Sequence, residues 1–317
     1  MTHPDAPPLD IAATLAELGA QVLVRGWLSA NNIVFAGPQA CVVDTGYVSH
    51  AAQTVALVGQ ALAGTDLARV INTHLHSDHC GGNASLARHW PRAQILVPLG
   101  YRSRLQPWDH AGLRYSDVDQ HCEPFTPHGY LRAGDGLRLG PRDWQVLAAP
   151  GHDPDAVLLF EPMSRCLISG DALWQDRLAI IFPELDGEPG FDATAQVLDQ
   201  IEALAPRLVL PGHGQPFTEV AAALSASRQR LAAFTAAPTK HHQHAARALV
   251  TYHLLAVQRE TRVALLDWIV STPIFRRALA CEHDDALAQV RAAQTVHRLL
   301  HDGVLAEQGE HLIMAQR

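Results

Sequence analysis

Short apolar runs separated by turn residues fill the first two thirds of the chain, and longer helical patterns fill the last third. Val22–Leu28 alternates and then meets Asn31-Asn32, which predicts a strand, a turn and a second strand at Ile33–Phe35. A third strand over Ala40–Val43 ends at Asp44-Thr45-Gly46. Val55, Leu57, Val58 and Leu62 have helical spacing, so Ala51–Ala63 reads as a helix that Gly64 stops. Leu67–Ile71 reads as a buried strand, and the turn at Gly81-Gly82 opens a helix from about Asn83 to His89. Further strands are expected at Ile95–Val97, Leu137–Gly140, Trp144–Ala148, Ala156–Phe160, Cys166–Ser169 and Leu208–Leu210. Strand and helix alternate, which is the order of an α/β layered fold. Tyr101–His128 lacks periodicity and reads either as a surface insertion or as a substrate-facing lid whose Arg102 and Arg104 meet an anionic group.

The pattern changes after His213. Ala221–Ala236 is alanine-rich and helical, and Ala237-Pro238-Thr239 breaks it as a linker would. Helical patterns follow at His244–Val257, Glu260–Ile269 and Asp285–His301. Asp302-Gly303 then makes a turn, and Val304–Ala306 and Leu312–Met314 flank the polar Glu307–His311. Three helices and a hairpin are the order of a winged-helix module. We therefore divide the chain at 1–236 and 237–317, as a length of 317 residues suggests.

Composition narrows the classes. A hydrophobic content of 48% with 18% charged residues is that of a soluble globular protein. The formal charge of −8 argues against general affinity for nucleic acid or anionic membranes. Five cysteines, widely spaced and odd in number, make neither a disulfide framework nor a zinc knuckle. Met1-Thr2-His3-Pro4-Asp5 lacks a signal peptide's basic start, and no apolar run approaches the roughly 18 residues of a membrane span. A cytoplasmic protein is expected.

The chemistry concentrates in Thr73-His74-Leu75-His76-Ser77-Asp78-His79-Cys80-Gly81-Gly82. Three imidazoles and a carboxylate fall within six positions, between a strand and a turn. In a strand-like backbone His74 and His76 point to the same side, while Asp78 and His79 lie on the turn and face a second point. Neutral imidazole and carboxylate suit Zn²⁺ and similar divalent ions. Later strands each deliver one more such residue beside glycine: His152 after Pro150-Gly151, Asp171 after Gly170, and His213 after Pro211-Gly212. Ligands at several strand ends along one edge are how α/β proteins commonly build a site.

The H-x-H-x-D-H pattern, followed in order by His152, Asp171 and His213, resembles the metallo-β-lactamase superfamily over roughly residues 20–225. The resemblance implies an αββα sandwich followed by a small, mainly helical, winged-helix-like C-terminal domain. It implies that His74, His76 and His152 hold one metal, that Asp78, His79 and His213 hold another, and that Asp171 bridges them. Two divalent ions are then the cofactors, zinc first, with manganese or iron as alternatives. Asp44 corresponds to the carboxylate that supports the metal ligands, and Asp78 and Asp44 are the carboxylates with a catalytic role. Two metals about 3.5–4 Å apart lower the pKa of a bound water and clamp the reacting group. The function expected is hydrolysis of a small ester, lactone or thioester by a metal-bridging hydroxide.

Two other chemistries share the fold. One is an endoribonuclease or phosphodiesterase, the other a mononuclear iron dioxygenase acting on persulfides. Flavo-diiron proteins have glutamate where His76 stands, and persulfide dioxygenases normally show Gly-Arg-Thr-Asp where this chain has Ala172-Leu173-Trp174-Gln175-Asp176. Glyoxalase II enzymes bind glutathione partly through lysines, and Lys240 is the only lysine here. Class B β-lactamases are usually exported and lack a long C-terminal extension. In the C-terminal third, Arg291, His297, Arg298 and His301 are offset by Glu282, Asp284, Asp285, Asp302, Glu307 and Glu310. Nucleic-acid binding calls for a basic face, so this unit is expected to cap the site or mediate a homodimer. His241, His242 and His244 form a second cluster, which a solvated helix start explains as well as a metal does.

Overall fold

In a computed structural model, residues 9–281 and 283–315 are described. Glu282, counted above among the acids of the C-terminal third, and the N-terminal Met1–Asp5 lie outside the described residues.

The first half runs α1 (Ile11–Leu18), β1 (Ala20–Leu23), β2 (Asn32–Phe35), β3 (Cys41–Val43), α2 (Ala51–Leu62), β4 (Arg69–Ile71), α3 (Ser77–Cys80), α4 (Asn83–His89), β5 (Gln94–Pro98), α5 (Arg102–Leu105) and β6 (Gly129–Leu131). Its strands form one sheet in sequence order, antiparallel from β1 to β3 and parallel from β3 to β6. Helix α1 is not foreseen above, although Asp10 caps it by accepting the Ala13 N–H at 3.1 Å and Gly19 closes it in the left-handed region. The expected strand Val22–Leu28 ends at Leu23. The Arg25 N–H is taken by Asn31 Oδ1 at 2.9 Å, so this stretch curls into a loop before β2.

The second half runs β7 (Gly136–Leu139), β8 (Arg142–Ala148), β9 (Val157–Glu161), β10 (Cys166–Gly170), α6 (Phe182–Leu185), α7 (Phe191–Leu204), β11 (Leu208–Pro211) and α8 (Val220–Ala236). Its sheet is ordered β11-β10-β9-β8-β7, with only β10 and β11 parallel. The two sheets face each other. Alternation sends Ile33, Phe35, Val43 and Ile71 of the first inward, against Trp144, Leu159, Ile168 and Leu210 of the second. Their neighbours Val34, Val42 and Val70 face outward against α2 and α4, and Leu158, Leu167 and Val209 face outward against α7 and α8. Both faces of strands β2, β3, β9, β10 and β11 are therefore covered, which is why they read as continuous apolar runs, whereas β8 alternates between buried and exposed positions. The layers are α, β, β and α, as the resemblance implied.

The last third contains α9 (Pro238–Val257), β12 (Arg259–Thr261), α10 (Arg262–Ser271), α11 (Pro273–Ala278), α12 (Asp285–His301), β13 (Leu305–Gln308) and β14 (His311–Met314). The break after α8 is a single residue, Ala237, because Pro238 opens α9, where a missing N–H costs nothing. A strand and a fourth helix join the expected three helices and hairpin, and β12 pairs with β14 in a sheet ordered β12-β14-β13. These elements share one apolar core, which also takes in Ile180 and Leu185 from the second half. His241 departs from the solvated reading. It is fully buried, with Phe191 and Phe234 around its ring.

Candidate metal centre

Every residue singled out for metal lies past the carboxyl end of a strand on one edge of the sandwich: His74, His76, Asp78 and His79 beyond β4, the last two on α3, His152 beyond β8, Asp171 beyond β10 and His213 beyond β11. A register shift between Ile168 and Gly170 re-aims the end of β10 just before Asp171. Close backbone approach requires glycine beside the site. A Cβ on Gly212 would stand 2.3 Å from Asp171 Oδ1, and Gly170, at φ +49°, would meet Thr73 Oγ1 at 2.8 Å. The two sheets are tied here as well, since the Val157 N–H donates to the Thr73 carbonyl at 2.8 Å.

Three imidazoles converge first. His76 Nδ1 lies 3.1 Å from His74 Nε2 and 2.8 Å from His152 Nε2. Their partners settle two of the tautomers. The Ile180 carbonyl can only accept, so His152 Nδ1, 2.5 Å away, carries the hydrogen and Nε2 keeps its lone pair. Thr73 Oγ1 gives its proton to Asp44 Oδ2 at 2.8 Å and therefore accepts from His74 Nδ1 at 3.1 Å. His74 Nε2 is left bare as well. Burial holds His76 and His152 down to about 4, and burial with the nearby His79 and His76 takes His74 well below its ordinary value. Neutral nitrogens aimed at one point are the donor set of a divalent transition metal.

The second group is more acidic. His79 Nδ1 donates to Asp44 Oδ2 at 2.8 Å, which turns Nε2 toward Asp171 Oδ1 at 3.2 Å and Asp78 Oδ2 at 3.8 Å. That Nε2 is buried and has no hydrogen-bond partner among the described residues. An orphaned ring nitrogen between carboxylates suits a cation. His213 Nε2 completes the group, 3.0 Å from Asp78 Oδ2. Asp171 reaches both groups, because Oδ1 faces His79 and Oδ2 lies 3.5 Å from His152 Nε2 and 3.8 Å from His213 Nε2. Burial opposes charge on His79, yet Asp171, Asp44 and Asp78 outweigh it and raise the imidazole well above its ordinary value. Burial likewise pushes Asp171 up, but His79 and His213 hold it well below. Three sets of ligand atoms each lie within 4.8 Å: His74, His76 and His152; His74, His79 and Asp171; and Asp78, His79 and His213.

Asp44 stands behind this constellation. Besides His79 and the Thr73 hydroxyl it accepts the Thr73 N–H at 2.9 Å, and it does so from a left-handed backbone at φ +58°. It does not line the cavity, so its geometry is that of a positioning residue.

A cavity of about 1550 Å³ opens over Asp78, Asp171, His76, His152 and His213. Part of the 101–128 segment lines it through Tyr101, Arg104, Arg114 and Tyr115, which favours the lid over the surface insertion for that part. Arg104 is paired with Asp155, and Arg102 lies over the Tyr130 ring, outside the cavity wall. Several lining residues carry no signal in the sequence. Trp27 stacks on His213 at 5.2 Å and Phe182 covers His76 at 4.7 Å. From the last third, Tyr252 closes one side and donates to the Leu28 carbonyl at 2.9 Å.

A family model described as the metallo-beta-lactamase superfamily matches residues 25–213. The chain belongs to this superfamily. Among its curated members, a probable metallo-hydrolase, YflN of Bacillus subtilis, is 28% identical over 49% of this chain and 67% of its own length. Human metallo-beta-lactamase domain-containing protein 1 is 32% identical over 55% of this chain and 58% of its own. A hydroxyacylglutathione hydrolase of Synechococcus is 30% identical over 44% of this chain and 46% of its own. The chain thus spans about half to two thirds of these relatives. A superfamily structure from Burkholderia ambifaria, a beta-lactamase domain protein, shares the fold over 99% of this chain and 97% of its own, with a TM-score of 0.57 at 24% identity. Among the described residues no helix is long and apolar enough to cross a membrane.

Proposed function

We propose that this chain is a dinuclear metallohydrolase acting on a small ester, lactone or thioester. The observation that carries the reading is Asp171, whose two carboxylate oxygens face different groups of imidazoles. His74, His76 and His152 would hold one divalent ion, Asp78, His79 and His213 the other, and Asp171 would serve both. Zinc fits the nitrogen-rich donors, with manganese or iron as alternatives. A bound pair supplies a water activated near neutral pH and a Lewis acid for the carbonyl. The chain's own part is orientation: Asp44, Thr73 and the Ile180 carbonyl fix the imidazoles, and Asp78 faces the cavity, where it can accept a hydrogen bond. Arg177, on the cavity wall 4.8 Å over Trp27, and Arg230, also on that wall, support an acyl substrate that carries negative charge.

The reading includes a catalytic unit over 1–236 and a winged-helix-like unit over 237–317, supported by the strand and helix order of the last third. Capping suits this unit better than duplex binding. On α12, Arg291 donates to the Leu279 and Ala280 carbonyls and Arg298 to Asp302.

Elemental analysis of protein purified without chelator or added metal tests the reading. About two equivalents of zinc or manganese, with chelator-sensitive hydrolysis of anionic thioesters, esters or lactones, is the expected result. One iron per chain with O₂ uptake on persulfides, or RNA cleavage outpacing every acyl substrate, would replace it with one of the other two chemistries.

A further inference from the structure

The C-terminal helices reach the metal centre through residues 178–182, and Ile180 faces both ways. Its side chain is buried in the core of the C-terminal unit, while its carbonyl accepts the Nδ1–H of His152. Helix α9 grips the chain on either side of that residue. His244 Nε2 donates to the Leu178 carbonyl at 3.1 Å, and the Ile181 N–H donates to His241 Nε2 at 3.0 Å. A carbonyl only accepts and an N–H only donates, so these contacts fix both tautomers. His241 must be neutral, and burial lowers it to about 3. Its Nδ1 is buried with no partner among the described residues, an arrangement that costs free energy. The aromatic packing against Phe191 and Phe234 would suit a phenyl ring equally well. What the imidazole adds is the single bond to Ile181.

We propose that His241 is a positioning residue for His152: with His244, it sets the place of the Ile180 carbonyl and so aims His152 Nε2 into the metal centre. The C-terminal unit thereby governs the affinity of a metal site to which it contributes no ligand. This inference rests on the dinuclear reading above.

The test uses the full chain, Zn²⁺ competed against a chromophoric chelator, and the melting temperature of the metal-free protein. H241F keeps the ring and loses the acceptor, whereas H241Q keeps an acceptor. H241F is expected to weaken the first zinc site about 10- to 100-fold, the scale seen when a ligand's outer partner is removed. H241Q should restore it to within about threefold, and the metal-free melting temperature of H241F should change little, because the unpaired Nδ1–H goes while the Ile181 N–H is left without its acceptor. If H241F does not fold, His244→Leu carries the test from the other side of Ile180. Unchanged zinc affinity in H241F, or equal loss at both sites, would overturn the proposal while leaving the metal centre standing. Wild-type protein that takes up no zinc would overturn both.

Discussion

The two groups of ligand-type residues differ in how their charge is arranged. His74, His76 and His152 are uncharged, and two of them are oriented by a hydroxyl and a carbonyl. His79 is ringed by Asp44, Asp78 and Asp171, and without a metal it holds a proton to higher pH than usual. An ion entering the first group meets bare lone pairs. One entering the second must first displace a proton. The same fold edge thus offers a site that is ready and a site that exchanges one cation for another. Asp171 is a carboxylate close to ligand nitrogens of both groups.

Asp171→Asn breaks the comparison most severely. It removes a charge from both groups, so bound metal and hydrolysis should both collapse, the latter by at least about a thousandfold, the scale of some 4 kcal/mol of transition-state stabilisation. Retention of two metals by this variant would dissolve the distinction between the groups. His74→Ala and His79→Ala come next, and their contrast is the sharper probe. Each should leave about one equivalent of zinc. The ion surviving in His79→Ala should bind with little pH dependence, since no proton has to leave. Equal pH dependence of the ions left in the two variants would contradict the charge argument.

Asp44→Asn is milder and more selective. Asparagine enters the left-handed region as readily as aspartate, so the backbone at φ +58° is preserved while the charge and one of the two acceptor oxygens are lost. We expect zinc affinity at the His79 group to fall about 10- to 100-fold, with the three-histidine group less affected. Isothermal titration of the metal-free variant resolves the two steps, and a loss confined to the first group would contradict the geometry.

How much of this was legible in the sequence follows from how local the causes are. His74, His76, Asp78 and His79 share one turn, and His152, Asp171 and His213 each announce themselves beside glycine at a strand end. The orienting groups are less visible. Nothing about Ile180 or Trp27 marks them, because a backbone carbonyl has no sequence signature and a lone tryptophan reads as core. The missed helix α7 has a specific cause. Its first N–H groups, at Gly190 and Phe191, are accepted by Glu184 at 2.6 and 2.8 Å, so the residues just before the helix lack a capping signal. Strand β12 is three residues long and pairs only with β14, about fifty positions away, so no local pattern reveals it. The solvated reading of His241 failed because the helix starts at Pro238, six residues earlier than the apolar spacing suggested.

The pH dependence of the metal-free protein separates the groups with the smallest perturbation. His76 and His152 titrate near 4 when folded and near 6.5 when unfolded. Between those values the unfolded chain binds more protons, so stability rises with pH, by up to about 1.4 kcal/mol per unit for each imidazole. His79 acts with the opposite sign. Its raised value gives stability that is fully present below about 6.5 and is lost as pH climbs through the folded value. Urea unfolding of chelator-treated protein should therefore show a maximum near pH 6.5, with an acid limb from the first group and an alkaline limb from the second. His79→Gln should flatten the alkaline limb alone. A curve that keeps rising from pH 6.5 to 8 would mean that His79 is neutral beside its three carboxylates, and the second group would then bind its ion without displacing a proton.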